Sequence, residues 1–163
     1  KRINAKLMAQ LIVRELEEVV KQGLKRRAVR HGRSMEEEIR EILRSDGRYD
    51  LAAYLFVLEA LTYTVEELGR RELADQDRHV SGQELLEGIR RYSVDTFGPL
   101  AREVFARWGI RRTEDFGEIV FKLVETGLLF RRDCDTREDF AEGFDFREAF
   151  EDSYRIDLPP DIP

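Results

Sequence analysis

The chain has 163 residues, of which 42% are hydrophobic and 10% aromatic. That is room for one ordinary domain, or a small module joined to one, with enough apolar mass for a real core. Charged residues reach 38%, but they alternate with apolar positions at helical spacing, which reads as solvated helix faces and not disorder. The net charge of −6 hides an asymmetry: residues 1–46 carry 12 Lys/Arg against 8 Asp/Glu, so the remainder holds about −10. A basic head suits phosphates, whereas an acidic body is repelled by them. The single cysteine, Cys134, excludes an internal disulfide framework and has no Cys/His set beside it for a metal. No cofactor is expected, and a reducing cytoplasm fits. No run approaches the roughly 18 apolar residues of a membrane span. The start, Lys1-Arg2-Ile3-Asn4-Ala5-Lys6-Leu7, lacks the apolar region of a signal peptide.

The first segment admits two readings. In one, residues 9–15 form a strand. Alternation then puts Gln10, Ile12 and Arg14 on one face and Leu11 and Val13 on the other. A helix over 17–31 follows, with Val20, Leu24 and Ala28 inward, and Gly32 supplies the left-handed residue that ends it. Ser34 and Glu37 make a capping box for the next helix, whose apolar stripe is Ile39, Ile42 and Leu43. In the other reading, Met8, Leu11, Ile12, Leu16, Val19, Val20 and Leu24 follow a 3.6-residue period, so residues 5–31 are one long amphipathic helix. Local chemistry leaves both open.

Asp46-Gly47-Arg48-Tyr49-Asp50 reads as a turn, with Asp50 capping an apolar helix over 51–68. Residues 69–80 read as a polar loop. Ser81 and Glu84 make a second capping box, opening a helix over 82–96. Gly98-Pro99 restarts the chain, with Pro99 at a first helical position and Trp108-Gly109 at the end. Thr113 is expected to cap a helix running to Gly127. Leu128-Leu129-Phe130 and the stretch from Phe140 to Phe146 are then expected to pair as a short hairpin, before a last turn at 147–151 and a proline-rich tail.

Three helices followed by a hairpin give a winged-helix-like order, with residues 113–127 in the recognition position. Glu114, Asp115, Glu118 and Glu125 against Lys122 argue against a phosphate groove there. We expect that helix to face a protein, with Arg111, Arg112, Glu114, Asp115 and Glu118 as partner-binding residues. The body has no Ser-His-Asp set, phosphate-binding Gly loop or metal cluster. His79 and Glu84 sit at a loop and a cap, where structural uses dominate, so no enzyme is expected.

The strings Leu11-Ile12-Val13-Arg14-Glu15-Leu16, Lys25-Arg26-Arg27-Ala28 and His31-Gly32-Arg33-Ser34-Met35-Glu36-Glu37-Glu38 resemble ribbon-helix-helix antitoxins of the FitA/VapB type, over about residues 8–44. The resemblance favours the strand and implies a homodimer whose paired strands lie in the major groove of double-stranded DNA. Carried over by position, Arg14 would read guanine, Gln10 adenine, and Ile12 a thymine methyl. Arg33 and Ser34, with the amides opening the second helix, would hold phosphate. An antitoxin of this type implies a PIN-domain ribonuclease toxin as partner. The sequence departs from the type in having a whole domain where a short toxin-wrapping tail is usual.

Within 46–150, Ala53-Tyr54-Leu55-Phe56-Val57-Leu58-Glu59-Ala60-Leu61 and His79-Val80-Ser81-Gly82-Gln83-Glu84-Leu85-Leu86-Glu87-Gly88-Ile89 resemble an uncharacterised family of Planctomycetes and Verrucomicrobia. So does Arg112-Thr113-Glu114-Asp115-Phe116-Gly117-Glu118-Ile119-Val120. That resemblance carries a body plan and no mechanism. The expected organisation is mainly α: a dimeric ribbon-helix-helix head over 1–46, an acidic helical domain over 47–152, and a tail over 153–163. The expected role is a DNA-binding antitoxin or repressor; the rival is a protein-interaction module without a DNA role.

Overall fold

The computed structural model describes residues 18–74 and 77–152. The strand read over 9–15, residues 5–17 of the alternative long helix over 5–31, and the tail fall outside them. Among the described residues six α-helices run in order: α1 (Glu18–Arg30), α2 (Met35–Arg44), α3 (Leu51–Glu67), α4 (Gly82–Phe97), α5 (Ala101–Trp108) and α6 (Thr113–Glu125). Short 3-10 turns lie at Gly98–Leu100 and Arg137–Phe140, and a π turn at Glu148–Asp152.

Local chemistry sets the helix ends. Ser34 and Glu37 exchange both bonds of the capping box, as do Ser81 and Glu84. Asp50 accepts from the Ala52 amide at 2.9 Å. Gly32, Gly69, Gly109 and Gly127 follow helix ends at φ between 65° and 90°. Each donates to the carbonyl three residues back while the next residue reaches five back, as in Arg33 N to Ala28 O at 2.9 Å. This is the Schellman closure, which favours glycine because its left-handed backbone crowds a Cβ.

Helix α3 is buried from Ala53 through Leu58, apolar on all sides, and therefore central. It runs antiparallel to α4, with Phe56 against Tyr92 and Phe97 at one end and Gly88 close against Thr64 towards the other. A Cβ at Gly88 would stand 1.7 Å from the Thr64 hydroxyl oxygen. The aromatic centre is Phe105, fully buried, with ring centroids 5.2 Å from Phe56, 5.3 Å from Phe116 and 5.7 Å from Phe150. Phe140 fits a notch between two glycines: a Cβ at Gly82 or Gly117 would come within 3.0 Å or 2.9 Å of its ring. Leu24, Ile39, Ile42 and Leu43 of the head belong to the same continuous core as the body.

Two expectations need correction. Thr113 is the first residue of α6 and not its cap. Its hydroxyl accepts from the Gly143 amide at 3.1 Å, while Asp115 accepts from the amides of Arg111 and Arg112 at 2.8 and 3.1 Å. The hairpin does not form: there is no strand among the described residues. Leu128 closes the end of α6, its amide bonded to Leu123 O at 2.8 Å, and Phe140 ends a 3-10 turn. Without that hairpin the winged-helix-like order lacks its wing.

Candidate nucleic-acid interface

The head is organised around one carboxylate. Glu38 is 1% exposed, and its oxygens accept from Arg27 Nε at 2.7 Å and Arg33 Nη1 at 3.3 Å, with His31 Nδ1 at 2.9 Å. Burial pushes its pKa up, but the bonds from Arg27, His31 and Arg33 outweigh that and hold it below the usual carboxylate range. A buried charge is tolerated only when paired in this way. The Schellman turn brings His31 and Arg33 to it from one side, while Arg27 reaches across from α1.

The turn itself is exposed at Arg33 and Ser34. Ser34 N donates to the Glu37 carboxylate at 2.8 Å, and Ser34 Oγ accepts from the Glu37 amide at 3.1 Å. These bonds lower the Glu37 pKa. The α2 N-terminus thus carries its own anion, with Glu36, Glu37 and Glu38 in the first turn. Gln10, Ile12 and Arg14 lie outside the described residues.

At the junction of head and body, Arg48 holds Asp46 with two guanidinium bonds of 2.8 Å and reaches Glu118 at 3.3 Å. Arg48 keeps the partly buried Asp46 below the usual carboxylate range, against the opposing effect of burial. Tyr49 OH donates to Asp115 at 2.9 Å. Arg137 donates to Glu118 at 3.2 Å and Glu125 at 2.8 Å. Among the five residues expected to bind a partner, Asp115 and Glu118 therefore have internal partners, and Glu114 stands 3.9 Å from Arg112. Arg111 and Arg112 are exposed. Sequence reasoning misses the Glu38 and Arg48 clusters. Their only signal is a charged residue flanked by opposite charges at a turn, which does not reveal which partner closes the bond.

Residues 9–46 match the family model for FitA-like antitoxins of the ribbon-helix-helix type. The match covers about a quarter of the chain and ends two residues beyond α2. No curated protein and no solved structure matches, and none of these comparisons supports the second resemblance, over 46–150. Ribbon-helix-helix antitoxins are not catalysts.

His79 and Glu84 do not meet: His79 Nε2 lies 3.1 Å from Asp135, and Glu84 clamps Arg70 through bonds of 2.8 and 2.9 Å. His79 and Asp135 border an apolar hollow lined by Leu61, Val80, Val120, Val124 and Leu129. Among the described residues no group of three His, Cys, Asp or Glu is placed to hold a metal. Nor is any described helix long and apolar enough to cross a membrane.

Proposed function

We propose that this protein is a DNA-binding antitoxin or transcriptional repressor that acts as a homodimer. Residues 1–46 are the reading head. Paired strands enter the major groove, with Arg14 on guanine, Gln10 on adenine and Ile12 against a thymine methyl. Arg33 and Ser34 flank that surface at the exposed turn. The acidic body over 47–152 faces a protein partner through Arg111, Arg112 and the rim of α6 that holds Glu114, Asp115 and Glu118. A PIN-domain ribonuclease toxin is the partner the antitoxin type suggests.

The observation that carries this reading is the family match over residues 9–46. The basic balance of that segment and the self-capped turn at Gly32–Ser34 support it. The rival, an interaction module with no DNA role, draws on the shared core: the apolar stripe of α2 is packed as part of the body. Enrichment of binding sites from a random duplex pool by the full-length protein separates the two. The repressor reading expects a two-fold symmetric pair of half-sites, bound by a dimer in light scattering. A monomer that enriches no sequence overturns it and leaves the interaction module.

A further inference from the structure

The head's cations are divided into two sets. Arg27, His31 and Arg33 turn inward to Glu38. Lys25, Arg26 and Arg30 are exposed, and among the described residues none of them is paired with a carboxylate. At 100° per residue, positions 26, 29 and 30 fall on the side of α1 opposite the buried Leu24 and Ala28, with position 25 at its edge. Val29, between the three cations, is 72% exposed, so no described residue covers this face. The carboxylate in the α1 sequence is Glu18, in its first turn.

Arg33 is bonded to Glu38, the Ser34 amide is bonded to Glu37, and three glutamates crowd the first turn of α2. Resting on the DNA-binding reading above, we propose that the outer face of α1, through Lys25, Arg26 and Arg30, is a second contact to the DNA phosphate backbone, beside the turn at Arg33 and Ser34. Glu38 enforces the division, because a buried carboxylate must recruit its cations from the same short segment. The outward set is three long, uncommitted cations along about one and a half turns of helix, a spacing suited to neighbouring phosphates. Such interactions add affinity without sequence preference.

The test is the salt dependence of binding to a mixed-sequence duplex, read by fluorescence anisotropy on the full-length protein. Wild type is compared with Arg26→Gln/Arg30→Gln, and with Arg71→Gln/Arg107→Gln, which removes the same charge from exposed positions of the body. Circular dichroism and melting verify the fold of each. The slope of log affinity against log salt should become shallower by about 2 per chain in the α1 variant, at roughly 0.9 for each phosphate no longer neutralised. The body variant should keep the wild-type slope. An α1 variant with the wild-type slope overturns the proposal while leaving DNA binding intact, and the face is then open to an acidic protein. An equal loss in the body variant also overturns it, since net charge alone then explains the effect. Wild type that binds no duplex overturns this proposal and the DNA-binding reading together.

Discussion

Arg27 and Glu38 join the two helices of the head: Arg27 Nε on α1 donates to Glu38 Oε1 on α2 at 2.7 Å. Glu38 is almost fully buried while Arg27 is half-exposed, so the bond carries more for the acid than for the base. Replacing Glu38 by Gln leaves three donors facing a neutral amide and should cost about 1–3 kcal/mol, discounted for the solvent reach of the cations. Because the folded pKa of Glu38 is depressed, its contribution is present above the ordinary carboxylate range and is lost as pH falls through the folded value. Urea unfolding at pH 7 and pH 3 should show the gap between wild type and Glu38→Gln shrinking at the acid end. A gap of equal size at both pH values contradicts this assignment.

The close approach of Gly88 and Thr64 makes a second prediction. Gly88→Ala should destabilise by about 2–3 kcal/mol, because α3 and α4 must separate to admit a methyl group. Thr64→Ala removes the hydroxyl and methyl that the new Cβ would strike. The double variant should therefore be less destabilised than the sum of the two single changes, by about 1 kcal/mol in a double-mutant cycle. Strict additivity would show that the helices do not approach at this point.

Gly109 and Gly127 separate backbone strain from packing. Both end helices at positive φ, 90° and 76°, but a Cβ at Gly109 meets Arg48 O at 2.4 Å, while at Gly127 nothing lies within 4 Å. Gly127→Ala should cost about 1–2 kcal/mol for the left-handed conformation alone. Gly109→Ala should exceed it by about 1–2 kcal/mol, because the junction segment must also shift. Chemical denaturation of the two variants tests the difference. Equal losses would mean that the Arg48 carbonyl does not rest on the α5 terminus.

Features decided by neighbours in the chain are legible in the sequence. Ser34 with Glu37, Asp50, Ser81 with Glu84, and the glycines at 32 and 109 act within four or five residues, and the structure places each as read. Ile39, Ile42 and Leu43 are buried as their spacing indicates. Thr113 misleads because its hydroxyl serves an amide 30 residues away, a bond that no local pattern reveals. Leu128-Leu129-Phe130 misleads because a short apolar run after a helix looks alike whether it begins a strand or seals a Schellman turn. The site is legible only in part. Arg33 and Ser34 stand on an exposed turn, where the capping pattern puts them. The acids of α6 look like a free face in the sequence, yet Arg48, Tyr49 and Arg137 engage Asp115 and Glu118. The balance of charges along a segment gives its net sign but not the pairing, which tertiary folding decides.

That the head reads DNA is tested most sharply at Arg14. Anisotropy of short duplex DNA, titrated with wild type and Arg14→Ala at low and moderate salt, is the experiment. Wild-type binding should weaken steeply with salt. Arg14→Ala should bind at least about fivefold more weakly to the enriched site, the cost of removing one base-reading side chain, with an unchanged melting temperature. No binding by the wild type at low salt, or identical affinity for the variant, would contradict a DNA-reading head.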